Sequence, residues 1–130
     1  KKFVANFKAY CKKNNLPDRE NRVTDDPIEA AYFGVYVWKQ AVEQAKSIDV
    51  DAVRKAVYGQ KFLAPGGQIM MDTANQHTHK PVLIGEILKN GQFKTIWRSK
   101  GLVKPEPWSE YTNPEKGCDW INHQGTYQKK

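Results

Sequence analysis

A chain of 130 residues that is 39% hydrophobic, with four tryptophans to bury, is a folding sequence about the size of one domain, not a disordered one. Its formal net charge of +7 comes from dispersed residues such as Lys1, Lys2, Lys12, Lys13, Lys55, Lys61, Lys94, Lys129 and Lys130. They form neither a long tract nor an aromatic-interleaved groove, so the charge describes a solvated surface and no nucleic-acid partner is expected.

No segment approaches the ~20 apolar residues of a membrane span, so no span is expected. The chain lacks an initiating Met and a signal peptide and opens inside an amphipathic pattern, KKFVANFKAYCKK, which predicts a mature or truncated start. In that pattern Phe3, Val4, Phe7 and Tyr10 follow helical spacing and predict a first helix from Lys2 to about Asn14. Asn14-Asn15-Leu16-Pro17-Asp18 ends it, and a polar linker continues to Asp25.

Asp26 is the expected cap of a second helix, with Pro27 at its first position and Glu29 three residues after the cap. The helix is predicted from Pro27 to about Lys46. Ile28, Ala31, Tyr32, Val35, Trp38, Val42 and Ala45 share one face, and Ala30, Phe33 and Val37 widen the stripe, so much of it should be buried. A third helix starts near Asp49, carries Val50, Val53, Val57 and Tyr58, and stops at Gly59.

From Gly66 the hydrophobic period becomes two. Gln68 to Asp72 is predicted as a strand, and Thr73 to Lys80 as a polar loop bounded by Pro81. Val82 to Leu88 and Gln92 to Arg98 flank Lys89-Asn90-Gly91, where Asn-Gly is a strong hairpin signal. Beyond Gly101 the chain is expected to be extended, because Pro105 and Pro107 forbid helix. Asp119-Trp120-Ile121 is expected to dock an aromatic anchor, and Gly125 to Lys130 to fray.

Little in these residues supports catalysis. His77 and His79 point to the same side if they lie on a strand, but no Cys lies near and Asp72 is the one carboxylate in reach, so hydrogen-bonding loop histidines are expected and no metal. His123 lies far away. Cys11 and Cys118 lack the neighbours of a nucleophile, and their pairing is left open. Pro65-Gly66-Gly67 lacks the Lys-Ser/Thr ending of a phosphate loop and reads as a turn. Asp25, Asp26 and Glu29 gather at the entrance of the long helix, where capping and dipole compensation account for them. The functional alternative is that this entrance borders a cleft, with Glu29 offering an acceptor and Tyr32 a hydroxyl to a small polar ligand. The aromatic face of Tyr32, Phe33, Tyr36 and Trp38 reads as core.

Three segments carry a resemblance: DDPIEAAYFGVYVWKQAVEQA, DVDAVRKAVYGQKFLAPGGQIMMD and NQHTHKPVLIGEILKNGQFKTIWRSKGLVKPEPW. In unbroken order they resemble the closing third of the urea- and short-amide-binding proteins of the type I periplasmic binding family. The likeness runs over nearly all of Phe3 to Trp120, with an expanded linker at Arg19 to Val23 and an unmatched tail after Trp120. It implies an α/β fold of two lobes joined by crossing strands. This chain would supply its carboxy-terminal part: three helices, a crossing strand and a β-hairpin. Residues 1–72 would belong to the first lobe, 73–81 to an inter-lobe crossing loop, 82–108 to the second lobe and 109–130 to a tail.

The resemblance further implies a periplasmic protein that captures urea or a short-chain amide and delivers it to an ABC importer, with neither catalysis nor a cofactor. Tyr32 matches a cleft-facing aromatic of related binders, Glu29 lies one turn before it, and Asp26 supports both. The implied partners are the amide, the ABC permease, and either a missing amino-terminal portion or a second copy of the chain. The alternatives are a cytoplasmic amide sensor of the same fold and an assembly module that binds no ligand.

Overall fold

A computed structural model describes residues 1–107 and Tyr111, and in it three helices precede five short strands. The helices are α1 (Lys2–Lys13), α2 (Asp26–Ala45) and α3 (Val50–Ala56). The strands are β1 (Lys61–Ala64), β2 (Gly67–Met71), β3 (Thr78–His79), β4 (Leu83–Ile87) and β5 (Phe93–Arg98). The expectations for Trp108, Cys118, Trp120, His123 and the end of the tail lie outside the described residues. No described helix is long and apolar enough to cross a membrane.

The helices fall where their spacing predicts, but the cap of α2 does not. Asp25 is the N-cap: its extended backbone presents Oδ1 to the Ile28 amide at 2.9 Å. Asp26 therefore sits inside the first turn beside Pro27, its carboxylate free for another partner. Glu29, one position too late to close a capping box on Asp25, reaches outward instead. Lys46 ends the helix in the left-handed conformation (φ 50°). Asp49 caps α3 as predicted, with Oδ1 3.0 Å from the Ala52 amide.

The buried face of α2 also differs from expectation. The row Phe33, Val37 and Ala41, at i, i+4 and i+8, is buried, whereas Val35 is 64% and Trp38 54% exposed. α2 packs against α3 and β1, both on one flank, so a single row of side chains meets the core. Two clusters result. Phe33 and Val37 pack with Ala64 and Ile69, joined by Ala30, Val57, Phe62 and Met71. Ala41 packs with Val53 and Ala56, joined by Val42, Ala45 and Val57.

A strand ahead of the Pro-Gly-Gly turn escapes the sequence pattern, since Lys61–Ala64 is too short for its period to register. β1 pairs antiparallel with β2, and Ala64 opposite Gly67 leaves Pro65-Gly66 as the turn. The segment expected to be loop holds β3, which pairs antiparallel with β2 through Met70–His79 and Met71–Thr78.

β4 and β5 form the predicted hairpin, with Gly91 at φ 76° in its turn. A bulge between Ile84 and Gly85 shifts the register, so Ile84 pairs with Trp97 and Ile87 with Phe93. The two residues of each of these apolar pairs share a face of the hairpin. All four are at least half exposed, and neither strand packs alongside another described helix or strand.

Candidate functional site

The entrance of α2 gathers three parts of the chain. Lys80, just past β3, pairs its ammonium with the Asp26 carboxylate and lies 4.0 Å from Glu29 Oε2. The same ammonium stands 5.7 Å from the centre of the Phe33 ring, a cation–π contact on the edge of the core. The other oxygen of Glu29 accepts the Gly66 amide at 2.6 Å, so the carboxylate also holds the turn between β1 and β2. A Cβ on Gly66 would stand 2.9 Å from Glu29 Oε1, so a side chain there would require the flexible carboxylate to shift.

Asp26 and Glu29 are thus brought together, as their spacing suggested, but around a lysine 54 positions away from Asp26. They also border a cleft of about 300 Å³ with Lys1, Thr24, Asp25 and Pro65. Tyr32 lies on the next flank of the helix. Its ring is 5.0 Å from those of both Phe3 and Tyr36, and Tyr36 stacks on Phe62 at 5.3 Å. A hydrogen bond with the Tyr36 hydroxyl pushes the Tyr32 phenol above its ordinary 10.0, and desolvation adds to the shift. Tyr32 faces a larger groove of about 850 Å³ between α1 and the body, lined also by Phe7, Tyr10, Leu63 and Pro65. Two neighbouring clefts divide the three candidate residues, and Phe3 and Pro65 line both.

A second polar cluster lies in the turn from β2 to β3. Asp72 is buried; its Oδ1 accepts the amides of Ala74 at 2.7 Å and Asn75 at 3.2 Å, while Oδ2 meets His79 Nε2 at 2.7 Å. Donation from Ala74 holds this carboxyl below its ordinary 3.8, and His79 contributes in the same direction. Asn75 Oδ1 accepts the His77 amide at 2.9 Å, and Gln76, at φ 62°, donates to the Arg54 carbonyl at 3.1 Å. His79 therefore takes up a hydrogen bond, as expected of it. Among the described residues no group of three or more His, Cys, Asp and Glu is placed to hold a metal ion. Lys80 is the residue that sequence reasoning passed over, since a lysine ending a polar loop carries no local signal. Asp72 did have one: Asp-Thr-Ala-Asn is the pattern of a side chain that hydrogen-bonds its own turn.

A family model described as a periplasmic binding protein domain matches residues 1–114. The chain is 25% identical over 88 residues to a protein named limonene hydroxylase from Geobacillus stearothermophilus, covering 68% of this chain and 16% of that one. Its fold is similar to that of a solute binding protein of an ABC transporter from Rhodopseudomonas palustris BisB5, solved in complex with 3,4-dihydroxybenzoic acid. The TM-score there is 0.58 at 21% identity, over 80% of this chain and 27% of that one. The chain thus spans about a quarter or less of the length of these proteins. The match over nearly the whole described chain places it in a family: this chain belongs to the periplasmic binding proteins.

Proposed function

We propose that these residues are part of a periplasmic solute-binding protein that captures urea or a short-chain amide by cleft closure and hands it to an ABC importer. The match of residues 1–114 to the periplasmic binding protein domain carries the solute-binding part of this reading. The amide part rests on the likeness of the three segments quoted above to urea and amide binders. The exposure of the apolar pairs Ile84–Trp97 and Ile87–Phe93 supports a working protein in which a further portion completes the second lobe.

The chemistry asked of the residues is binding, with no cofactor. Glu29 and Asp26 would accept amide N–H groups at the mouth of the α2 entrance, and closure would have to bring the Tyr32 hydroxyl across from the neighbouring groove to donate to the carbonyl. Two acceptor positions of Glu29 are engaged by Gly66 and Lys80, and a carboxylate offers about four. Closure over the ligand would bury these groups. A ligand that left one of them unpaired would lose about 1–3 kcal/mol, and this is the source of selectivity. Ligand then shifts the open–closed balance by its differential affinity for the two states.

One observation favours a second ligand class. The row of rings Phe3, Tyr32, Tyr36 and Phe62 beside the larger groove suits a planar aromatic acid, like the 3,4-dihydroxybenzoic acid in the similar solved protein. Calorimetry on the full-length protein separates the two. Heat with urea, acetamide or formamide at millimolar concentration supports the amide reading, and silence with all three ends it. Heat with 3,4-dihydroxybenzoate alone selects the aromatic acid.

A further inference from the structure

We propose that Lys80 is a conformational latch that fixes the direction in which the hairpin β4–β5 leaves the helical body. Both feet of the hairpin meet at this residue. Pro81 and Val82 follow it directly into β4, while the chain leaving β5 returns through Val103, whose amide donates to the Lys80 carbonyl at 2.8 Å. The backbone of Lys80 therefore ties the two ends of the hairpin together, and its side chain ties them to α2 through Asp26 and Glu29.

Few other contacts could do this. Neither β4 nor β5 packs alongside another described element. A further close approach is at Gly67, where Pro81 Cγ and Arg98 Nη2 would stand 3.1 Å and 3.2 Å from an added Cβ. The charges are also placed to persist. Lys80 is 25% and Glu29 16% exposed, and the ammonium stands over the Phe33 ring, so water screens this pair less than an open surface pair. Asp26, at 75% exposure, is the outer and more readily screened arm. Glu29 in turn grips Gly66, so one carboxylate couples the latch to the β1–β2 turn.

The proposal rests on the solute-binding reading only for its consequence, that the latch biases the angle between lobes. Its own test needs no ligand. Dyes introduced through encoded handles at Glu43 on α2 and Lys94 on β5, in the full-length protein, report the distance between body and hairpin by single-molecule energy transfer. Wild type is expected to give one narrow population. Lys80→Met should broaden or split it, with docked and undocked forms in roughly equal share once the charge pair is gone. Lys80→Arg should restore the narrow form. A distribution unchanged by Lys80→Met overturns the latch.

Should Lys80→Met not fold, Asp26→Asn at the exposed arm serves instead, since it leaves the core untouched. It should broaden the distribution in part, and the wild type should broaden likewise in 1 M salt, where the screening length is only about 3 Å. No change in either overturns the proposal. If the distances respond while calorimetry shows no amide binding, the latch stands and the ligand assignment falls.

Discussion

Asp72 Oδ2 and His79 Nε2 lie 2.7 Å apart across the turn that joins β2 to β3, closing that turn from the inside. The same carboxylate accepts two backbone amides, so a single buried side chain organises the turn ahead of Lys80.

This sets a pH dependence with a defined sign. The Asp72 carboxyl titrates below its ordinary 3.8 in the folded chain, so it contributes stability at pH values above that figure. The contribution is lost as pH falls through the folded value. Thermal melts followed by circular dichroism should show a midpoint that drops on acidification below about pH 4. Asp72→Asn should lower the midpoint at neutral pH and flatten the acid limb; an equally steep limb in the variant would assign the acid sensitivity to other carboxylates.

Ile69 is 1% exposed at the centre of the cluster under α2, and Ile69→Ala should cost about 2–5 kcal/mol by lost burial and the cavity left behind. Trp38→Ala, on the open face of the same helix, should change the stability of this chain by about 0.5 kcal/mol or less. Chemical denaturation of the two variants checks which row of α2 is buried. Equal costs would restore the face predicted from spacing.

Asp25 and Asp26 should separate in the same assay. Asp25→Ala removes the bond to the Ile28 amide and should cost about 1 kcal/mol, the usual value of a helix N-cap. Asp26→Ala leaves the cap intact and removes one exposed arm of an ion pair, worth about 0–1 kcal/mol. A larger loss at Asp26 would place the cap there after all.

Gly67 has φ 140° and lies against Pro81 and Arg98. Gly67→Ala should therefore cost about 1–3 kcal/mol in backbone strain, with further crowding at the hairpin's foot. Gly91→Ala, also at positive φ but with open space around it, carries only the conformational penalty of about 1–2 kcal/mol. Melting temperatures of the two variants give the comparison, and a milder effect at Gly67 would mean that Pro81 and Arg98 yield freely.

The uncovered face of the hairpin should make the 130-residue chain associate when studied without further sequence. Light scattering during size-exclusion chromatography is expected to give a mass above the monomer. Ile87→Lys together with Phe93→Glu should lower it, because charge on that face opposes burial. A monomeric wild-type chain would show that the hairpin tolerates water and would weaken the case for a covering lobe.

The features legible in the sequence are those whose cause lies within a few residues. The three helices, the Asp49 cap, the Pro65-Gly66 turn and the Asn90-Gly91 hairpin each follow from spacing, capping chemistry or a glycine at positive φ. Glu29, Asp26 and Tyr32 were likewise readable as neighbours on one helix. Their separate surroundings were not: the first two converge on Lys80, while Tyr32 stands in a row of rings. Tertiary structure also decided which row of α2 is buried, because periodicity defines an apolar stripe but not the flank against which α3 and β1 pack. Four-residue β1 and two-residue β3 exist only because β2 lies between them to complete their hydrogen bonds. Local geometry is encoded by neighbours in the chain, whereas the meeting of Lys80 with Asp26 depends on a fold that brings distant residues within reach.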